Sequence, residues 1–559
     1  MIKNMIDDSK QFEERADYID LDDLMEWTAD TAFFDKIQTK ITERGAKVIV
    51  GPRGTGKTHH FRHAYYKCLK NSNKPLALYI SFGKYYYLEP LLFKSANAIN
   101  VFHTWILAKI VCEIINVANI LGIDFQENLE EFSLILDDLL DFIERAEKNL
   151  ANNINDEVIS KLSIQKVIML IEKLLDSTNK KRCILLLDDA ALTLTPEYMI
   201  EFFDVFRSLK TQNISPKASV YPGTTQYGPR FHIGQDAEEV SVWLNVEDES
   251  YSKFMSEIIS KRLSNINLSE EYIEAFKFAS FGIPRAFITL IRAFLFLDVK
   301  TNQQKFNKVL EDQKNLLEKE YLSLSLKLPQ YKSIIEGGLI FFNQSIEVVF
   351  DANKNNATEK KTHIGIEQKE LSSKLNRMLK FLIEAGLLYE LQPVRNGESE
   401  KFNRYIPHYL FLINAKVFSS TRGFNLKSQI QSMNRKPDKR PIRKSLAKFL
   451  DESEIDKLKL DLPPCSNCGE HRISEEQKFC HKCGSPLVGQ STFETILKTK
   501  ISDLPLPKWQ IDSILKNSKL KTIEDLYSSQ NLAKDLKDAK GIGKVRTTNI
   551  EKIVKEFLE

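Results

Sequence analysis

GPRGTGKT, residues 51–58, follows the apolar run KVIV at 47–50 and fits the pattern G-x-x-x-x-G-K-[ST]. Gly51, Gly54 and Gly56 let the backbone curl until its N–H groups face one anion, and Pro52, Arg53 and Thr55 complete the loop. A helix that begins near Lys57 aims the positive end of its dipole at the same place. The pattern gives Lys57 to the β- and γ-phosphates of a bound nucleotide and Thr58 to Mg²⁺. The alternative is a glycine turn before an ordinary helix.

Working outward, a phosphate loop of this kind needs an acid at the end of a neighbouring strand. CILLLDDA, 183–190, supplies it: an unbroken apolar run suits a strand buried on both faces. Asp188 is placed to hold Mg²⁺, and Asp189 to orient or deprotonate an attacking water. Asp189 could equally cap the helix that Pro196 and Glu197 help to begin. It is one methylene shorter than the usual Glu, so slow hydrolysis is expected. KVIV, LALYISF (76–82), CILLLDD and ASVYPG (218–223) are the strand candidates. Amphipathic stretches at 98–121, 131–149 and 160–177 are the helix candidates. This alternation is that of an α/β domain.

The chain has 559 residues, 42% hydrophobic and 28% charged, which is enough for several globular domains. No apolar stretch reads as reaching the ~20 residues that span a bilayer. Residues 1–30 hold ten Asp/Glu against Lys3, Lys10 and Arg15, the opposite of a signal peptide, so no membrane and a cytoplasmic location are expected. The net charge of +3 hides an asymmetry: residues 421–559 carry 27 Lys+Arg and 19 Asp+Glu, leaving 52 and 57 for the rest. A basic end suggests a polyanion partner, or simply a solvated tail. Of the seven cysteines, Cys68, Cys112 and Cys183 stand alone on apolar stretches, and the other four cluster as a metal site does.

Cys465-x₂-Cys468 and Cys480-x₂-Cys483 are two tight turns that can point four thiolates at one tetrahedral ion. Gly469 and Gly484 follow the pairs, and His471 and His481 are not needed as ligands. The set resembles a zinc ribbon; with all positions closed, Zn²⁺ there would be structural. It would supply the core that so short a segment cannot bury alone.

Three further stretches give the α/β part a family resemblance. VYPGTTQ (220–226) ends a strand in a polar group, Thr224 or Thr225. YGPRF (227–231) places Arg230 shortly after it. GIPRAF (282–287) puts Arg285 at a helix start. With the P-loop and the Asp pair, residues 45–415 resemble an AAA+ ATPase of the archaeal and eukaryotic origin-recognition type. The resemblance implies that Thr224 or Thr225 acts as sensor 1 and that Arg285 is the sensor-2 arginine facing the γ-phosphate. It also implies that Arg230 is an arginine finger offered to a neighbouring subunit, hence a homo-oligomer, and that ATP is the nucleotide. Arg230 in a surface ion pair, or Arg285 as an exposed helix-start arginine, are the simpler alternatives. Asp189 and a long helical insertion between 95 and 178 depart from the family pattern. Signal-transduction NTPases with defence roles also show two acids after the apolar strand, but their helical motif usually lacks the arginine.

Residues 330–415 resemble the winged-helix domain that follows such ATPases. KELSSKLNRMLKFLIEAGLLYEL (369–391) reads as the end of a helix-turn-helix, with Leu379, Leu382 and Ile383 buried. Lys374, Arg377 and Lys380 would face DNA, with a wing around Arg395–Lys401. Residues 421–448 hold nine Lys/Arg and one acid, Asp438, with Pro437 and Pro441, and read as a basic linker. LPLPKWQIDSILKNSKLKTIEDL (504–526) and AKGIGKVRTTNIEKIVKEFL (539–558) resemble the helix-hairpin-helix C-terminal domain of the bacterial RNA-polymerase α subunit. Gly541 and Gly543 permit the hairpin, and Lys544 and Arg546 add charge for a DNA phosphate, though such hairpins also dock proteins.

The expected architecture is multidomain. It comprises an acidic N-terminal segment (1–44), a P-loop AAA+ core (45–246), a helical lid (247–325), a winged helix (326–418) and a basic linker (419–460). A zinc ribbon (461–490) and a helix-hairpin-helix domain (491–559) follow. The expected activity is a DNA-directed ATPase. The alternative is a regulatory or anti-phage switch whose tail docks a protein partner.

Overall fold

The computed structural model describes all residues except 1–9, 149–155, 191–194, 265, 355–359, 397–399, 420–424, 436–439, 474–476, 478, 488–490, 530 and 559. Its centre is a five-stranded parallel sheet of β1 (Lys47–Val50), β2 (Leu76–Ser81), β3 (Cys183–Asp188), β4 (Ile214–Val220) and β5 (Glu238–Ser241), in the order β2-β3-β4-β1-β5. Every residue of β1, β3 and β4 is buried, as apolar runs covered on both faces by helices must be. β4 therefore lies between the P-loop strand and the Asp-bearing strand, and the carboxyl ends of all three meet at one edge. In an open α/β sheet that edge is where ligands bind.

Two strands depart from the sequence reading. β4 begins at Ile214, four residues before ASVYPG, and contains Pro216 paired with Leu185. A proline argues against a central strand, and it hid this start. β5 is a mostly exposed edge strand whose Glu-rich sequence carries no apolar alternation.

The insertion between β2 and β3 is helical and packed. Its longest helix, Ala98–Ile120, buries Phe102 against Tyr198 (ring centroids 4.1 Å apart) and Trp105 against Phe82 (5.5 Å). This helix and Pro329–Asn353 are long and apolar enough to cross a membrane, contrary to the sequence reading; 67% and 50% of their apolar windows are buried inside the protein. His103, Lys109 and Glu113 interrupt the first run by eye. In the fold they are spent on Glu201 (2.6 Å), Glu147 (3.5 Å) and the Tyr79 N–H (3.3 Å).

The acidic N-terminal stretch is structured from Lys10 onward. Helices Leu21–Glu26 and Ala32–Thr42 lie against the helix Lys57–Lys70 that follows the P-loop. Three helices of the stretch expected as the lid follow the sheet: Tyr251–Arg262, Glu270–Ala279 and Pro284–Phe296, the last with Pro284 at its first turn, where a missing N–H costs nothing.

A second module combines helix Lys332–Asn353, β6 (Ile364–Glu367), helix Ser373–Glu384, and the hairpin of β7 (Leu388–Asn396) and β8 (Glu400–Pro407). The two-residue β9 (Ile442–Arg443) completes a sheet of order β7-β8-β6-β9. The Ser372 hydroxyl caps the helix by accepting from Leu375 N–H, and Leu379, Leu382 and Ile383 are buried as expected. Only a three-residue 3₁₀ turn, Gln368–Glu370, stands between β6 and that helix. The tip of the expected wing, 397–399, lies outside the described residues, as do the 421–424 and 436–439 parts of the basic stretch. The described remainder of that stretch is packed: Leu426, Ile430, Met433, Ile442, Phe449 and Leu450 are buried in the core shared by the lid and second module.

The C-terminal helices (Thr492–Leu497, Lys508–Asn517, Ile523–Tyr527, Leu532–Asp535, Lys544–Leu558) share the core of the parallel sheet. Phe493 packs on Tyr86 and Tyr87 (5.3 and 5.5 Å), and Tyr527 packs on Tyr87 (5.9 Å). The Ser491 hydroxyl donates to Glu89 (2.5 Å), and Lys552 pairs with Glu13 (2.6 Å).

Candidate functional site

The loop 51–56 leaves β1 and turns into helix Lys57–Lys70 with Gly54 and Gly56 in the left-handed region, φ +82° and +91°. At Gly54 the fit is also steric: a Cβ would meet Arg285 Cβ at 2.9 Å. The Arg285 N–H donates to Gly54 O (3.3 Å), so the lid helix starts directly on the P-loop. The expected P-loop and sensor-2 residues are therefore brought together.

Lys57 Nζ donates to Gly51 O (2.6 Å) and Pro52 O (3.2 Å) and lies 4.2 Å from the centroid of the Tyr221 ring. Burial pulls its ammonium down to about 7, against the opposing charges of Asp188, Asp189 and Glu384. Tyr221, in the turn that follows β4, also carries Arg53 over its ring at 5.6 Å.

Asp188 is fully buried. Its Oδ1 accepts from Ser219 Oγ (2.6 Å) and its Oδ2 from Tyr79 OH (3.0 Å). Burial, with the Asp188 and Asp189 charges, holds the Tyr79 phenol far above its ordinary range, so it stays a donor. Asp189 follows in the left-handed region, φ +53°, with its N–H donating to Ser219 Oγ (2.9 Å) and its Oδ2 accepting from Ser81 Oγ (3.3 Å). Ser219, Tyr79 and Tyr221 form this support without belonging to any motif, and the sequence reading missed them. Ser219 sits one residue before the strand end at Val220, whereas the polar sensor was sought beyond it, at Thr224 or Thr225.

A cavity of about 180 Å³ joins these parts. Lys57, Thr58, Asp189, Tyr221 and Arg285 are among its polar lining residues, and Trp27, Ala29, Phe34, Phe254, Ile258 and Ile288 are among its apolar ones. The apolar lining comes from the N-terminal helices and from the helices after the sheet; the latter were expected there through Arg285, and the former were not.

Other expected residues fall elsewhere. Thr224 is buried and faces the Glu384 carboxyl, while Thr225 Oγ1 donates to Tyr221 O (2.8 Å) and is spent in the turn. Arg230 is 71% exposed, pairs with Asp204 (3.5 Å) and lies outside the cavity lining. Lys374 Nζ donates to Leu458 O (2.9 Å), Arg377 lies over the Tyr331 ring (5.2 Å) and Lys380 is exposed. Gly541 (φ +79°) and Gly543 are exposed before helix Lys544–Leu558, and Arg546 covers the Trp509 ring (5.1 Å).

The Sγ atoms of Cys465, Cys468, Cys480 and Cys483 lie within 4.8 Å of one another. Each pair turns on a hydrogen bond from the following glycine, Gly469 N to Cys465 O (2.8 Å) and Gly484 N to Cys480 O (2.9 Å). Four convergent thiols on two knuckles fit a tetrahedral soft-ligand ion of the zinc-ribbon kind.

Residues 12–88 match the family described as ORC-CDC6-like. One similar solved structure is the Aeropyrum pernix ORC1 protein in complex with DNA: 10% identity, TM-score 0.29, covering 69% of this chain and 91% of that one. No curated protein matches the chain. The matched segment holds the N-terminal helices and the P-loop, which line part of the cavity.

Proposed function

We propose that the chain is an ATP-binding AAA+ protein that acts on or senses DNA in the cytoplasm as a nucleotide-dependent switch or loader, with slow hydrolysis. One observation carries this: the P-loop, the strand-end Asp189 and Arg285 line one cavity, and the P-loop lies in the segment that matches the ORC-CDC6-like family. Thr58 and Asp188 would hold Mg²⁺, which supplies charge neutralisation for phosphoryl transfer. Lys57 and Arg285 bind and orient the phosphates, and Asp189 positions the attacking water. The base is taken by the apolar lining residues, Trp27 and Phe34 among them.

The second module is proposed as a winged helix with Lys374, Arg377 and Lys380 towards DNA. The C-terminal helices are proposed as a helix-hairpin-helix domain with Gly541, Gly543, Lys544 and Arg546 on a phosphate. Zn²⁺ is proposed for the four cysteines, and Arg230 for a neighbouring subunit in a homo-oligomer. Mobility shifts on duplex and single-stranded DNA, at low salt with and without ATP, test the reading. Binding that falls with salt is expected, and no binding to either DNA defeats it. A second reading, a regulatory or defence switch that docks a protein, is favoured by the packing of Phe493 and Tyr527 on the Tyr85–Leu88 turn, which links the C-terminal helices to the ATPase sheet.

A further inference from the structure

The helix Ser373–Glu384 ends against the nucleotide site. A Cβ on Gly223, in the turn after β4, would meet Lys380 O at 2.4 Å, and Gly223 has φ +126°, so only glycine admits this approach. A Cβ on Gly386 would lie 3.9 Å from Pro52 Cβ of the P-loop and 3.1 Å from Ile283 Cδ1 of the lid. Glu384 stands between these two contacts. Its Oε2 is buried with no hydrogen-bond partner among the described residues. Around it are the Thr224 hydroxyl and the Arg53, Lys327 and Lys57 cations; burial outweighs them and pushes the carboxyl up to about 7. Glu384 lines a large cleft that shares Arg53 and Arg285 with the nucleotide cavity. No P-loop motif uses it.

We infer that Glu384 is a specificity-determining residue of the nucleotide site: supplied by the second module, its carboxyl stands where Arg53 and Lys57 would otherwise serve a phosphate, so a nucleoside triphosphate and the docked helix compete for the same cations. This rests on the reading of residues 51–58 as a triphosphate site. A third phosphate brings its charge towards Lys57 and the end of β4, beside Thr224 and Glu384. Two anions in one poorly hydrated space disfavour each other. While the helix is docked the site therefore prefers a diphosphate, and a triphosphate loosens the helix end at 380–386.

The test uses the full chain and fluorescent ATP and ADP analogues. Glu384→Gln keeps the shape and removes the charge, and is expected to tighten ATP about tenfold and ADP less than about threefold, a difference of roughly one pKa unit in charge interaction. Glu384→Asp keeps the charge and retains most of the wild-type preference. Amide exchange of 380–386 is read in parallel: ATP speeds it relative to ADP in the wild type, and the Gln variant abolishes that difference. An unchanged ATP-to-ADP ratio together with exchange indifferent to the nucleotide overturns the inference alone. If the wild type binds neither nucleotide, the triphosphate reading fails and the inference falls with it.

Discussion

The Ser219 hydroxyl on β4 stands 2.6 Å from Asp188 Oδ1 on β3 and donates to it. The same oxygen accepts the N–H of Asp189 at 2.9 Å. One side chain on the intervening strand thus fixes both acids, the first by its carboxylate and the second by its backbone.

Ser219→Ala leaves a buried carboxylate oxygen and a buried N–H short of a partner. The change is expected to cost about 1–3 kcal/mol in the unfolding transition of the sheet, followed by denaturant titration. It should also weaken Mg²⁺-dependent nucleotide binding more than Mg²⁺-independent binding. Equal losses would show that Ser219 does not organise Asp188.

Lys57→Ala is expected to lower ATP affinity at least about a hundredfold, as loss of a charge-assisted phosphate contact in a buried site does. Undiminished affinity refutes the phosphate assignment. The pH dependence follows from the depressed ammonium. Its value in the fold is about 7, below the ordinary 10.5, so above 7 the ligand-free protein carries less charge there. A phosphate favours the charged form, so binding takes up to about one proton at pH 8 and affinity falls as pH rises from 7. Calorimetry in two buffers of different ionisation enthalpy reads the uptake; release of a proton instead would contradict the arrangement.

Asp189→Asn is expected to keep ATP binding and stop turnover. Asparagine tolerates the left-handed backbone at φ +53° as well as aspartate does, so the substitution tests the carboxylate and not the turn. Phosphate release at unchanged rate would remove Asp189 from the chemistry.

Metal analysis should find one zinc per chain, and Cys468→Ser should lose it. Chelation is expected to unfold the knuckles around 465–483 while ATP binding persists, because a closed thiolate set stabilises its own segment. Loss of ATP binding on chelation would instead tie the knuckles to the P-loop.

β1 and β3 were legible because buried central strands are short apolar runs, and the P-loop and the four cysteines because their chemistry is local in sequence. The start of β4 was hidden by Pro216, and β5 by its exposed glutamates. Tyr79, Ser219, Tyr221 and Glu384 come from β2, β4, the following turn and a helix over 150 residues further on, and no spacing rule joins them. Composition also misread the stretch around Leu426–Leu458 as a linker: its apolar residues are sparse among lysines and arginines, yet most of them find a buried position. The membrane test failed in the opposite sense at Ala98–Ile120, where polar residues that looked like interruptions are satisfied inside the protein.

The approach of Lys380 to Gly223 has a consequence for synthesis. The parallel sheet is complete at Ser241, and Glu384 leaves the ribosome roughly 140 residues later, about 7–30 s at ordinary elongation rates. During that interval the newborn P-loop meets cellular nucleotide without its carboxylate rival. On the proposed reading, the first occupant of each molecule is thus set by cellular abundance, and the mature preference is imposed on a site already filled.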